Sequence, residues 1–135
     1  MTRVAELFGG LQPGDALSPL ALTISAQANE RYWKAAGINH PALATGALYP
    51  LIAANLTVLA FTQHCPEAMI QTRQQLQCHR IAATPADLET HAHVLERYER
   101  RSLPSIVIAA EVSLLGELLW SATSHFTPAI KVTTR

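Results

Sequence analysis

The side chains in this sequence that can move protons, hold a metal or grip phosphate fall into three groups. The first is Asn39-His40-Pro41, in the loop INHPALATG ahead of a long apolar run. An imidazole titrates near neutral pH and can act as acid or base. A histidine before a proline also serves as a structural hydrogen-bonder, so both roles stay open for His40. The second group is Glu89, His91 and His93, spaced i, i+2, i+4 so that one strand face carries all three. Zinc accepts such ligands but needs an open or fourth position from elsewhere. A solvated or intersubunit face is the expected alternative, and no metal is assigned. The third group is Arg97, Arg100 and Arg101. Guanidinium forks match phosphate oxygens in pairs, while the interleaved Glu96 and Glu99 make a salt-bridged strand edge equally consistent. Cys65 and Cys78 are too few and too far apart for a zinc knuckle or a disulfide framework, and read as reduced, buried thiols.

The elements that must position these groups follow from periodicity. Leu20 to Ile24 is a short apolar strand, and Ser25 behind it can cap a helix through its hydroxyl. AQANERYWKAAG is helical, with Gly37 as its stop. Pro41 biases His40 to extended backbone, so the next stretch is a loop containing Gly46 and Tyr49. Pro50 suits the first turn of a second helix running to about Phe61. Leu51, Ile52, Leu56, Val58, Leu59 and Phe61 cover every face of it, which predicts burial on all sides. HCPE ends that helix at Pro66.

Beyond Pro66 the pattern alternates. One predicted strand carries Ile70, Thr72, Leu76 and Cys78 on one face. The next carries Leu88, Ala92, Val94 and Tyr98. Ile106 to Leu115 is apolar at odd and even positions, as in a strand covered on both faces. Leu118, Trp120, Ala122 and Phe126 alternate with Ser121, Thr123 and His125. ATPAD separates the first two strands, and SLPS and LGE are short enough for hairpins. The order predicts an α+β single domain over 1–135, with four strands in a meander wrapped around one buried helix at about Pro50–Phe61. That is the plan of a hot-dog fold.

At 135 residues the chain is one domain's worth. Its net charge is zero with histidines neutral, so bulk electrostatics draw neither nucleic acid nor anionic lipid. The low charged fraction of 15% suggests that another subunit covers some apolar surface. MTRVAELFGG is not a secretory signal, and the apolar run from Leu48 to Phe61 is shorter than the ~20 residues a spanning helix needs. A cytoplasmic protein is expected.

The stretches ANERYWKAAGINHPALATGALYP and RYERRSLPSIVIAAEVSLLGELLWSATSHFTP resemble the MaoC-like acyl-thioester hydratases and dehydratases, over roughly residues 20 to 128. The resemblance implies addition of water to enoyl thioesters, or its reverse, on coenzyme A or an acyl carrier. Coenzyme A then enters as part of the substrate and no resident cofactor is implied. It also implies a helix N-terminus aimed at the thioester carbonyl, where backbone N–H groups favour developing negative charge, and dimers with thioester sites between subunits.

The family's loop motif is G-D-x-N-P-x-H. With Gly37 as its glycine, Ile38 stands at the Asp position, His40 at the Asn, Pro41 at the Pro and Leu43 at the His. Neither Ile nor Leu can transfer a proton. Three readings follow: a hydratase or dehydratase using His40, with Asn39 beside it; a non-catalytic subunit of a homodimer or heterodimer whose partner carries the motif; and a hot-dog thioesterase. The thioesterase is disfavoured because the helix offers only Asn55 and Thr57. Tyr32, Gly46, Tyr49 and Asn55 are the candidate substrate contacts, and Arg97 and Arg100 the candidates for coenzyme A phosphates. The alternatives are packing for Tyr32 and Trp33, a loop anchor for Tyr49, and backbone satisfaction for Asn55.

Overall fold

A computed structural model describes residues 4–37, 41, 46–65 and 67–129. After a turn segment at Val4–Gly10 come β1 (Leu20–Ile24), α1 (Ala26–Ala35) and α2 (Ile52–Thr62). Then follow β2 (Met69–Cys78), β3 (Ala86–Arg100), β4 (Leu103–Leu114) and β5 (Glu117–Pro128). The five strands form one antiparallel sheet in the order β1-β3-β4-β5-β2. The sheet packs around α2, giving the hot-dog architecture.

Ser25 caps α1 as its hydroxyl requires: Oγ accepts from the Ala28 N–H at 3.1 Å. Gly37 ends the helix with φ +69°. α2 has no side-chain cap. Its first turn closes on itself instead, with the N–H groups of Ile52, Ala53 and Ala54 donating to the carbonyls of Tyr49, Pro50 and Leu51. The helix buries Ile52, Ala53, Leu56, Thr57, Ala60 and Phe61. Its expected all-round burial does not hold. Leu51 is 53% exposed, Leu59 is 51% exposed, and Asn55 between them is also exposed, giving a stripe at i, i+4, i+8.

The core divides along α2. At its C-terminal end Phe8, Ala60 and Phe61 pack with Ile106, Ile108 and Phe126. At its N-terminal end Trp33, Leu48, Tyr49 and Ile52 pack with Leu88, Val112 and Trp120. Each fully buried large apolar side chain is worth about 1.5–3 kcal/mol. Gly9 lets the N-terminal segment reach α2: a Cβ there would stand 2.0 Å from the His64 carbonyl oxygen. His64 Nε2 in turn accepts from the Ser18 N–H at 3.0 Å.

β3, β4 and β5 meander through two-residue turns, with positive φ at Arg101 and Ser102 and at Leu115 and Gly116. Leu103 and Pro104, expected in the connection, already belong to β4. The four-strand meander is corrected at β2, which pairs with β5 and leaves the 79–85 link to cross to β3. β4 is buried on both faces from Pro104 to Ile108, while Glu111 is exposed.

Bulges explain the misassigned faces, because one extra residue moves every later side chain to the other side. The register slips at Thr72 in β2, so Ile70 and Thr72 are exposed while Gln74 and Leu76 turn toward the core; Cys78 shares the face of Leu76 but is exposed at the end of the strand. It slips again at Leu95 in β3, placing Arg97 on the core side, over Phe8, and Tyr98 on the outer face against His125.

Candidate functional site

The segment 46–49, which leads into α2, is held from two sides. On one side Leu48 N–H donates to Ala82 at 2.8 Å and Thr84 N–H donates to Gly46 at 3.0 Å. On the other stands the buried face of α1, made of Asn29 and Trp33 at i, i+4. Asn29 Nδ2 and Trp33 Nε1 both donate to the Ala47 carbonyl at 2.9 Å, and Asn29 Oδ1 accepts from the Tyr49 N–H at 2.8 Å. Gly46 takes φ +73°, a conformation an L side chain rarely adopts.

This frame fixes the Tyr49 ring. Tyr32 stacks on it at 6.2 Å between centroids, and Trp33 meets it edge-on at 5.0 Å. Tyr32, Gly46 and Tyr49 are thus brought together at the N-terminal end of α2. Asn55 is not: it lies on the exposed stripe. Asn39 and His40 lie outside the described residues, as do Ile38 and Leu43. Trp33, Leu48, Ile52 and Ala53 share the buried apolar cluster that holds Tyr49. In the first turn of α2 Pro50 has no N–H and those of Ile52 to Ala54 are already used, so of the expected open amides only that of Leu51 has no partner among the described residues.

Arg97 and Arg100 stand at the other end of the molecule. Arg97 lies 5.0 Å over the Phe8 ring and donates to the Leu11 carbonyl at 3.1 Å, and burial lowers its pKa. Phe8 packs on Phe61, so Arg97 belongs to the C-terminal end of α2, a helix about 16 Å long. Arg100 is exposed at the β3–β4 turn. His91 pairs with Glu89, and among the described residues no three His, Cys, Asp or Glu side chains form a set able to hold a metal. Cys65 is buried as expected, donating to Glu67 at 3.0 Å, with its pKa pushed up to about 12 chiefly by burial. Cys78 is exposed instead, as the last residue of β2.

Asn29 was the residue that sequence reasoning overlooked. The available signal was a polar residue four before Trp33, on the face of α1 that must be buried.

An antiparallel sheet wrapped around a helix is the hot-dog fold found in solved hydratases and dehydratases. The unliganded R-hydratase PhaJ1 from Pseudomonas aeruginosa superposes with a TM-score of 0.75 at 15% identity, covering 96% of this chain and 92% of that one. The C-terminally truncated HadBC complex, a 3R-hydroxyacyl-ACP dehydratase from Mycobacterium tuberculosis, gives 0.71 at 18% identity, covering 85% and 96%. The ChsH1-ChsH2 complex from Mycobacterium tuberculosis gives 0.72 at 12% identity, covering 86% and 97%. No protein-family model matches the sequence, and no curated protein matches it. No helix among the described residues is long and apolar enough to cross a membrane.

Proposed function

We propose that this chain binds acyl thioesters as a subunit of a hot-dog hydratase or dehydratase. The observation that carries the reading is the fixed approach to α2. Asn29 and Trp33 lock segment 46–49, and the Tyr49 ring stands at the helix N-terminus in the fold that PhaJ1 and HadBC share. Hydration of an enoyl thioester needs a base to take a proton from water as its oxygen bonds to C3. It also needs an acid to deliver a proton to C2, and a donor for the carbonyl oxygen on which negative charge collects. Tyr49 is the candidate donor, since its hydroxyl has no hydrogen bond among the described residues. His40 is the candidate proton carrier from this chain.

Pairing with a second hot-dog subunit is the companion reading. Leu51 and Leu59 expose an apolar stripe, and β2 is an edge strand paired only with β5. HadBC and ChsH1-ChsH2 are themselves complexes. A partner bearing an acid and a base would complete the chemistry that Ile38 and Leu43 cannot perform.

Crotonyl-CoA tests both. Loss of the enoyl absorbance with the pure chain, abolished by His40→Ala, supports catalysis by His40. Turnover only when a motif-bearing hot-dog chain is co-expressed supports the shared site. Free thiol release would point to thioester hydrolysis, and failure to bind crotonyl-CoA in any form would end the thioester reading.

A further inference from the structure

The thioester reading leaves a question that Arg97 and Arg100 do not answer: what holds the carrier end of the substrate. Both lie away from Tyr49. A different arginine lies close to it. On α1, two turns of helix present Ala28, Arg31, Tyr32 and Ala35 along a cleft of about 400 Å³. The half-buried Tyr32 that lines it is the same residue whose ring stacks on Tyr49. Arg31 is exposed at the rim and has no ion-pair partner among the described residues, whereas the neighbouring Lys34 is tied to Glu30 at 2.8 Å.

We propose that this cleft is the subsite for the phosphopantetheine arm of the thioester, an assignment that rests on the thioester reading above. The chemistry matches along its length. The arm's dimethyl carbon suits an apolar shelf of alanine and an aromatic face. Its phosphate suits a free guanidinium fork. Its thiol end is then directed toward the Tyr32–Tyr49 stack and the N-terminus of α2. Coenzyme A and an acyl carrier protein share this arm, so the cleft serves either source.

Calorimetric titration of the chain with crotonyl-CoA, 4′-phosphopantetheine and pantetheine separates the contributions. Arg31→Gln is expected to weaken crotonyl-CoA and 4′-phosphopantetheine at least about tenfold, while pantetheine, which has no phosphate, is unchanged. Ala35→Trp, a surface change that fills the cleft, is expected to weaken all three without lowering the unfolding midpoint. Tighter binding of coenzyme A than of 4′-phosphopantetheine, both of which end in a free thiol and which differ in the nucleotide, assigns an added nucleotide contact. Equal binding leaves the arm as the whole ligand. If crotonyl-CoA binds the wild type and both variants equally, the cleft assignment is overturned and the thioester reading stands. If crotonyl-CoA binds none of them, both fall.

Discussion

The side-chain amide of Asn29 spans Leu48: it donates to the carbonyl before that residue and accepts from the N–H after it, at 2.9 and 2.8 Å. Asn29 is 2% exposed, so water cannot replace either bond. Asn29→Ala strands the Tyr49 N–H, while the Ala47 carbonyl keeps Trp33. The expected loss is about 2 kcal/mol of unfolding free energy, read by urea denaturation. Trp33→Phe, which keeps most of the packing and leaves Ala47 bonded to Asn29, is expected to cost only about 1 kcal/mol. Equal effects from the two would contradict this division of labour.

Gly9 and Gly46, both at positive φ, differ in what surrounds them. At Gly46 a Cβ would find its nearest neighbour, Thr84 Oγ1, at 3.9 Å, so Gly46→Ala is expected to cost only the left-handed backbone penalty of about 1–2 kcal/mol. At Gly9 the Cβ would strike the His64 carbonyl, so Gly9→Ala must also push the N-terminal segment off α2. A markedly larger drop in thermal midpoint for Gly9→Ala is expected, and comparable drops would refute the close approach.

Tyr49→Phe removes a hydroxyl that makes no hydrogen bond among the described residues and keeps the ring between Tyr32 and Trp33. Stability should change by less than about 0.5 kcal/mol. If Tyr49 donates to the thioester oxygen, turnover of crotonyl-CoA by the active assembly falls about tenfold or more with little change in KM. Unchanged turnover would return Tyr49 to the role of loop anchor.

The thiol of Cys65 gives a pH signature. Its pKa rises from 9.0 to about 12 in the folded chain, chiefly through burial. The unfolded chain therefore loses this proton first as pH rises, and the contribution to stability is whole below about 9 and is lost toward 12. Urea midpoints measured across that window should fall, and Cys65→Ala should flatten the slope. Iodoacetamide should label the exposed Cys78 in the native state and reach Cys65 only on unfolding.

Leu59→Lys puts a charge on the exposed stripe of α2 without touching the core. If that stripe meets a second hot-dog chain, light scattering on a column should show a smaller species for Leu59→Lys than for wild type. An unchanged mass for this variant would leave the stripe without a partner.

Much of the architecture was legible. The strand at Leu20–Ile24, the Ser25 cap, the Gly37 stop and the alternation of Trp120, Ala122 and Phe126 in β5 stand as periodicity and capping chemistry required, while Leu118, expected on the same face, is exposed ahead of a bulge at Leu119. What escaped was long-range. A bulge leaves no mark in composition, so Leu95 hid the inward turn of Arg97, and Thr72 hid the outward turn of Ile70. Apolar residues on every face of α2 could not tell a surface covered by this chain from one left open, which is why Asn55 was placed inside. The grouping of Tyr32, Gly46 and Tyr49 near the start of α2 was legible because local chemistry marks a helix start. Asn29 was missed because its partners lie 18 and 20 positions away.

β2 runs for ten residues at the rim of the sheet, and Arg73 is its only charge. Edge strands are ordinarily protected by lysines, prolines or brevity. This one has a single bulge. Its outward N–H and C=O groups will bond to whatever extended chain arrives, including another nascent copy. Yield is therefore a matter of dosage: made in excess and alone, the protein should precipitate through this rim, and a lysine in place of the exposed Gln71 should keep it in solution.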